Sequence, residues 1–149
     1  QSRSSAASDV YKRQDERRLR HWLAFLYFCR GSMLLYGGTE FAPRRQVGLF
    51  DADDNFGDKR SDLSDFLRRC KAMKLELPLE GAVWYEVSGG TVIGHYKSPA
   101  GEVTGVFDLS GEGEATVVER ADGVYENQLG GDLTVTDGHI RTDGDPIVF

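Results

Sequence analysis

From Pro78 to the C-terminus the chain is cut by turn chemistry at intervals of roughly ten residues, which leaves room for short strands and hairpins but not for helices. The punctuation reads GG at 89–90, PAG at 99–101, GEGE at 111–114, ADG at 121–123 and DGH at 137–139. Between these lie the alternating runs AVWYEVS, TVIGHYKS, EVTGVFDLS, EATVVER, DLTVTDG and IRTDG. Glycine and aspartate dominate the breaks because they reach positive φ at little steric cost. Residues 79–149 are therefore expected to fold as antiparallel hairpins packed into a small β-sandwich. The adjacent Trp84 and Tyr85 then point to opposite faces of one strand, so one of them at most faces a ligand.

The text upstream has another period. Asp15–Arg30, DERRLRHWLAFLYFCR, carries apolar residues at Leu19, Trp22, Leu23, Leu26 and Tyr27, the i, i+3, i+4, i+7, i+8 spacing of a helix, with Asp15 as N-cap. Ala24, Phe25 and Phe28 broaden the stripe, so this helix needs cover on more than one side, and Trp22 reads as core. Gly31 stops it. SMLLYGG follows as a short continuous apolar run, the pattern of a strand buried on both faces of a parallel sheet, at Met33–Gly37. After a polar stretch, Thr39–Arg60, a second helix is expected from Ser61 to Lys74, capped by Ser61 or Asp62, with Leu63, Phe66, Leu67, Cys70 and Met73 inward. Helix, buried strand, long loop and helix make a slice of an α/β fold, so the chain as a whole reads as α/β followed by all-β.

The opening residues belong to neither pattern. Ser4–Gln14, SSAASDVYKRQ, is similar to the in-frame translation of a transposase-end adapter used in DNA library preparation, and no methionine stands at position 1. Residues 1–14 are accordingly read as a non-native tail. Setting them aside leaves 15 basic against 23 acidic residues, a net charge of −8 in place of −6. A chain so acidic lacks the basic face that nucleic acid requires. The longest apolar run, Trp22–Cys29, falls far short of the roughly 20 residues of a membrane span. Cys29 and Cys70 lack metal-ligand spacing and read as free thiols, which fits a reducing cytoplasm, although the localisation itself is unknown. His21, His95 and His139 have no partner at ligand spacing and read as structural or surface residues. The acidic run Asp51–Asp58, DADDNFGD, places its glycine one residue late for an EF-hand loop, so no metal site and no cofactor is expected.

One stretch carries a resemblance. GSMLLYGGTEF, Gly31–Phe41, resembles the last motif of the alpha-amylase family of glycoside hydrolases, in which a Tyr-x-Gly-x-Glu sequence closes the eighth strand of the barrel. Tyr36, Gly38 and Glu40 match it, while Met33 stands where the family usually has proline and Gly37 where a second tyrosine is common. VGLFDADD resembles the loop that follows, SDLSDFLRRCKAMK the final barrel helix, and DGVYENQLGGDLTVTDGHI the C-terminal β domain. The resemblance implies that residues 15–78 are the last part of a (β/α)8 barrel, comprising a helix, strand 8 and the final helix, and that residues 79–149 are the C-terminal β-sandwich domain. It also implies a retaining mechanism on α-glucosidic bonds, with an α-glucan or maltooligosaccharide as the partner of the intact protein.

The family's three catalytic carboxylates come from strands four, five and seven. A barrel takes about 250 residues, so those strands are not expected here and no catalytic residue is assigned. Glu40 is expected to hold loops together through hydrogen bonds, and Arg44, Arg45 and Asp51 to border the substrate cleft. Two other classes stay open. One is an amylase-like structural subunit without catalysis, which the upstream coding sequence distinguishes from an enzyme. The other is a carbohydrate-binding β module, which binding of the β half to insoluble starch distinguishes.

Overall fold

The structure, a computed structural model, describes residues 16–43, 59–78, 80–113, 115–141 and 144–149. Helix α1 covers residues 16–28, a 3-10 turn covers Thr39–Phe41, and α2 covers Ser64–Glu76. Eight strands follow: β1 Ala82–Ser88, β2 Thr91–Ser98, β3 Gly101–Asp108, β4 Ala115–Val117, β5 Gly123–Glu126, β6 Asp132–Val135, β7 His139–Arg141 and β8 Ile147–Val148. They form a four-stranded antiparallel sheet in the order β1-β2-β3-β8 and two ribbons, β4-β7 and β5-β6. The described residues are thus mostly β, with two longer helices.

The sheet has two working faces because side chains alternate along a strand. One face, carrying Ile93, Val106 and Ile147, packs on Val118, Leu133, Val135 and Ile140 of the ribbons and the loop after β4. The other face presents Tyr96, Phe107 and Val148 to Leu23, Ala24, Tyr27 and Phe28 of α1 and Phe66, Cys70 and Met73 of α2. Residues upstream and downstream of Pro78 therefore share one core.

A hollow in the sheet makes the helix face possible. Gly94 and Gly105 sit opposite each other in the β2-β3 register, and the Phe28 ring fills the space their missing side chains leave. A Cβ at Gly94 would lie 2.5 Å from a Phe28 ring carbon, and one at Gly105 would lie 2.9 Å from the ring's other edge. Around the ring stand Tyr96 at 5.0 Å and Phe107 at 5.3 Å between centroids, both tilted, a favourable arrangement for aromatic quadrupoles.

The last carbonyls of a helix have no intrahelical donor. In α1 the Tyr96 hydroxyl donates to the Phe28 carbonyl at 2.7 Å, and the Lys74 ammonium donates to the carbonyls of Tyr27 at 3.1 Å and Cys29 at 2.7 Å. A cation at this end also complements the helix dipole. In α2 the buried positions Leu63, Phe66, Cys70, Met73 and Leu77 follow helical spacing, and the Asp62 carboxylate accepts the Ser64 N–H at 2.9 Å. The helix starts at Ser64, part of a turn beyond the expected start near Ser61, with Leu63 at the N-cap and Asp62 accepting from its first N–H.

On the far side, buried Asn127 ties the β5-β6 turn to the last strand. Its Nδ2 donates to the Pro146 carbonyl at 3.1 Å, and its Oδ1 accepts from the N–H groups of Leu129 at 3.1 Å and Val148 at 3.0 Å. The β6-β7 turn puts Asp137 and Gly138 at φ 51° and 69°, and the Asp122 carboxylate accepts both N–H groups at 2.9 and 3.0 Å.

Two expectations change. Residues 32–36 form neither helix nor strand and have no strand partner among the described residues, and Leu34 is 83% exposed, so this segment is not a strand buried on both faces here. Backbone pairing needs neighbours, and none of the described strands lies beside it. Trp22 is 40% exposed rather than core, because α1 turns His21, Ala24 and Phe28 toward the sheet and Trp22 with Leu26 away from it. The tail, Asp15 and the Asp51–Asp58 run lie outside the described residues.

Phe28→Ala empties the glycine hollow and is expected to destabilise the chain by about 3–5 kcal/mol. Gly94→Ala drives a methyl group into the same ring and is expected to cost about 1–3 kcal/mol. Urea unfolding of the two variants checks both values, and a loss below about 1 kcal/mol for Phe28→Ala contradicts the packing argument.

Candidate functional site

The family-like motif forms a single turn. Tyr36 accepts the Thr39 N–H on its carbonyl at 3.1 Å, and Gly38 follows at φ 94°, where a side chain is disfavoured. The Glu40 carboxylate accepts the Gly38 N–H at 2.9 Å, and the Glu40 carbonyl accepts the Leu63 N–H at 2.8 Å. Phe41 takes the Arg60 N–H at 3.0 Å on its carbonyl and the Lys59 ammonium over its ring at 4.3 Å. The turn is thereby joined to the entry of α2, and it leaves the Tyr36 ring exposed. Arg44, Arg45 and Asp51 lie outside the described residues.

A second cluster joins α1 to the strand ends. Buried His21 accepts the Asp108 N–H on Nδ1 at 3.0 Å, which leaves its Nε2–H to donate to the Gly144 carbonyl at 3.1 Å. Burial pushes the imidazole pKa below its ordinary value, against the opposing pull of the Gly144 carbonyl and the Asp108 charge. Burial tends to raise the Asp108 pKa. The Ser110 hydroxyl and the N–H groups of Gly113 and Gly111 outweigh that and hold the carboxyl below the usual range. Arg17 pairs with the same carboxylate at 3.2 Å, and Arg20 pairs with Asp145 at 2.7 Å. With every polar atom of the imidazole engaged and neutral, this cluster does structural work.

A cleft of about 550 Å3 opens beside β6 and β7. Leu133, Ile140 and Ile147 floor it, with Asp132, His139 and Asp145 among its lining groups. Apolar floor and polar rim suit a small polar ligand. An aromatic stack lies elsewhere, on β1 and β2. Trp84 stacks on buried His95 at 4.8 Å and 12°, while Tyr85 meets Phe25 edge-on at 6.0 Å across the sheet. The two neighbours do point to opposite faces.

Comparison with known proteins follows the same division of the chain. Residues 85–149 match the model of the bacterial alpha-amylase C-terminal domain. An alpha-amylase from Lactobacillus plantarum superposes with a TM-score of 0.80 at 27% identity, covering 90% of this chain and 33% of that one. Residues 85–149 thus match a bacterial alpha-amylase C-terminal domain, and the chain as a whole is similar to an alpha-amylase. A noncanonic maltogenic alpha-amylase, AmyB from Thermotoga neapolitana, shares the fold at 13% identity and a TM-score of 0.57, covering 89% of this chain and 36% of that one. The chain spans about a third of the length of these two solved structures. No curated protein matches it.

Sequence reasoning assigned no role to the His21–Asp108 pair, which lies 87 residues apart in the chain. It missed the Trp84–His95 stack too, because only the β1-β2 register places one opposite the other. The two cysteines are free, and burial pushes the Cys70 thiol up to about 12.

Because the imidazole pKa is lower folded than unfolded, His21 lends stability that is complete above about pH 6.5 and is lost as pH falls below it, where the unfolded chain binds the extra proton. Urea midpoints taken between neutral and mildly acid pH are expected to fall less in His21→Gln than in the parent chain. An equal fall in both contradicts a buried neutral imidazole.

Proposed function

We propose that the chain is the C-terminal part of a retaining glycoside hydrolase acting on α-glucosidic bonds of starch or maltodextrin-type substrates. The observation that carries this reading is the likeness to the Lactobacillus plantarum alpha-amylase over 90% of the chain, well beyond residues 85–149 and so into the helical part. In this reading residues 15–78 are the last part of a (β/α)8 barrel, with Met33–Gly37 as its eighth strand, and residues 79–149 are a β-sandwich domain. The exposed Leu34 and Tyr36 support it, since they leave on this segment apolar surface that neighbouring barrel elements would cover.

The chemistry then belongs to carboxylates on the remainder of the barrel. One attacks the anomeric carbon, another protonates the leaving oxygen and later activates water, and two inversions give net retention. The present chain contributes the closing turn at Tyr36, Gly38 and Glu40, whose Glu40–Gly38 and Glu40–Leu63 bonds fix the end of the strand against α2. Arg44, Arg45 and Asp51 follow that turn and border the α-glucan or maltooligosaccharide.

Joining the chain to its upstream coding sequence is expected to give a protein that hydrolyses starch and releases the α-anomer first, followed by proton NMR. The 149-residue chain alone is expected to give no turnover. An extended protein inert toward α-glucans, an inverted first product, or turnover by the 149-residue chain itself each contradicts the reading.

A further inference from the structure

We propose that the free edge of β1 joins two copies of this chain, pairing antiparallel about Tyr85 so that one sheet continues across a twofold axis. The direction of the β1 backbone follows from the other end of the sheet. Thr104 on β3 exchanges both backbone hydrogen bonds with Phe149, donating at 2.7 Å and accepting at 2.9 Å, so its backbone is turned away from β2. Bonded and non-bonded pairs alternate along antiparallel strands. His95, opposite Thr104, is therefore turned toward β1, where it bonds its partner Trp84. That leaves the N–H and C=O groups of Val83, Tyr85 and Val87 turned outward, and no strand lies beyond β1 among the described residues.

An edge of this kind is ordinarily blunted by a lysine, a proline, a bulge or shortness. Strand β1 has none of these. Its seven residues, AVWYEVS, pair one to one with β2, and Glu86 is its only charged side chain. Val87 is 72% exposed, and Trp84 and Tyr85 are exposed as well.

The order of side chains on β1 selects a second copy as the partner. With Tyr85 opposite its own image, Val83 meets Val87 and Trp84 meets Glu86 in both halves. The outward groups of Val83, Tyr85 and Val87 all find partners, because a bonded pair exchanges both of its bonds. Each Glu86 carboxylate stands beside an indole and not beside its image, which avoids the cost of like charges directly opposite. On the α1 side of the sheet, Trp22, Phe25 and Tyr85 form a run of edge-on rings at 6.3 and 6.0 Å that ends at the free edge. The twofold axis carries that run through Tyr85 into its image. A cationic peptide, the other occupant that an acidic chain invites, finds a single carboxylate on β1.

Sedimentation equilibrium of the 149-residue chain tests the pairing, and amide exchange reads its place. A reversible dimer is expected, in which the amides of Val83, Tyr85 and Val87 slow as concentration rises. Those of Trp84 and Glu86, bonded to β2, are expected to be slow throughout. Val87→Pro removes one outward N–H without touching the β2 bonds and is expected to weaken the dimer by at least about tenfold. Val87→Lys places a charge on the edge, is expected to weaken it by roughly tenfold, and serves if the proline variant does not fold. A chain that stays monomeric at sub-millimolar concentration, a dimer whose Tyr85 amide still exchanges fast, or a dimer undone by Leu34→Ser and not by Val87→Lys overturns the proposal. So does an extended protein that stays monomeric. Starch hydrolysis is a separate readout, so the pairing and the amylase function fail independently.

Discussion

One aromatic ring in a two-glycine hollow holds the molecule together. Phe28 lies where Gly94 and Gly105 face each other across β2 and β3; a Cβ at Gly94 would meet its ring at 2.5 Å, and one at Gly105 would meet Phe107 at 2.6 Å and Phe28 at 2.9 Å. The contact brings α1 close enough for the Tyr96 hydroxyl to reach the Phe28 carbonyl, and for Lys74 to span from α2 to the same helix end. At the other end of α1, His21 and Arg17 hold Asp108 while Arg18 donates to the Leu109 carbonyl at 3.0 Å. A helix fixed at both ends and in the middle does not slide along its sheet.

The opposite face of the same sheet is organised by short ribbons rather than by a second full sheet. Their strands are three or four residues long, too short to hold themselves in water. Their stability comes from Val118, Leu133, Val135 and Ile140 meeting Ile93, Val106 and Ile147, and from the Asn127 and Asp122 side chains that close their turns. On β1, the outer strand of the sheet, Trp84 stays 37% exposed.

Local pattern made β1, β2 and β3 readable, because alternation and glycine-rich turns act within a few residues. Strands β5 and β8 escaped it, since GVYE and IV are too short to show a period, and β8 pairs only with a distant partner, Ile147 with Val106. The inward face of α1 was misjudged around Trp22 for a related reason. Its sequence is apolar almost all round, so only the position of the glycine hollow decides that His21, Ala24 and Phe28 turn inward. The Tyr36–Gly38–Glu40 turn was legible as a motif. The Trp84–His95 stack was not, because register is a property of two strands and not of either alone.

If α1 and the sheet are one unit, they open as one. Native-state hydrogen exchange of the α1 amides from His21 to Phe28, set beside those of β2 and β3, measures this most directly. The predicted result is a common opening free energy in both elements, lowered together in Phe28→Ala. Amides of α1 that exchange through a low-energy opening while β2 and β3 stay protected would contradict it.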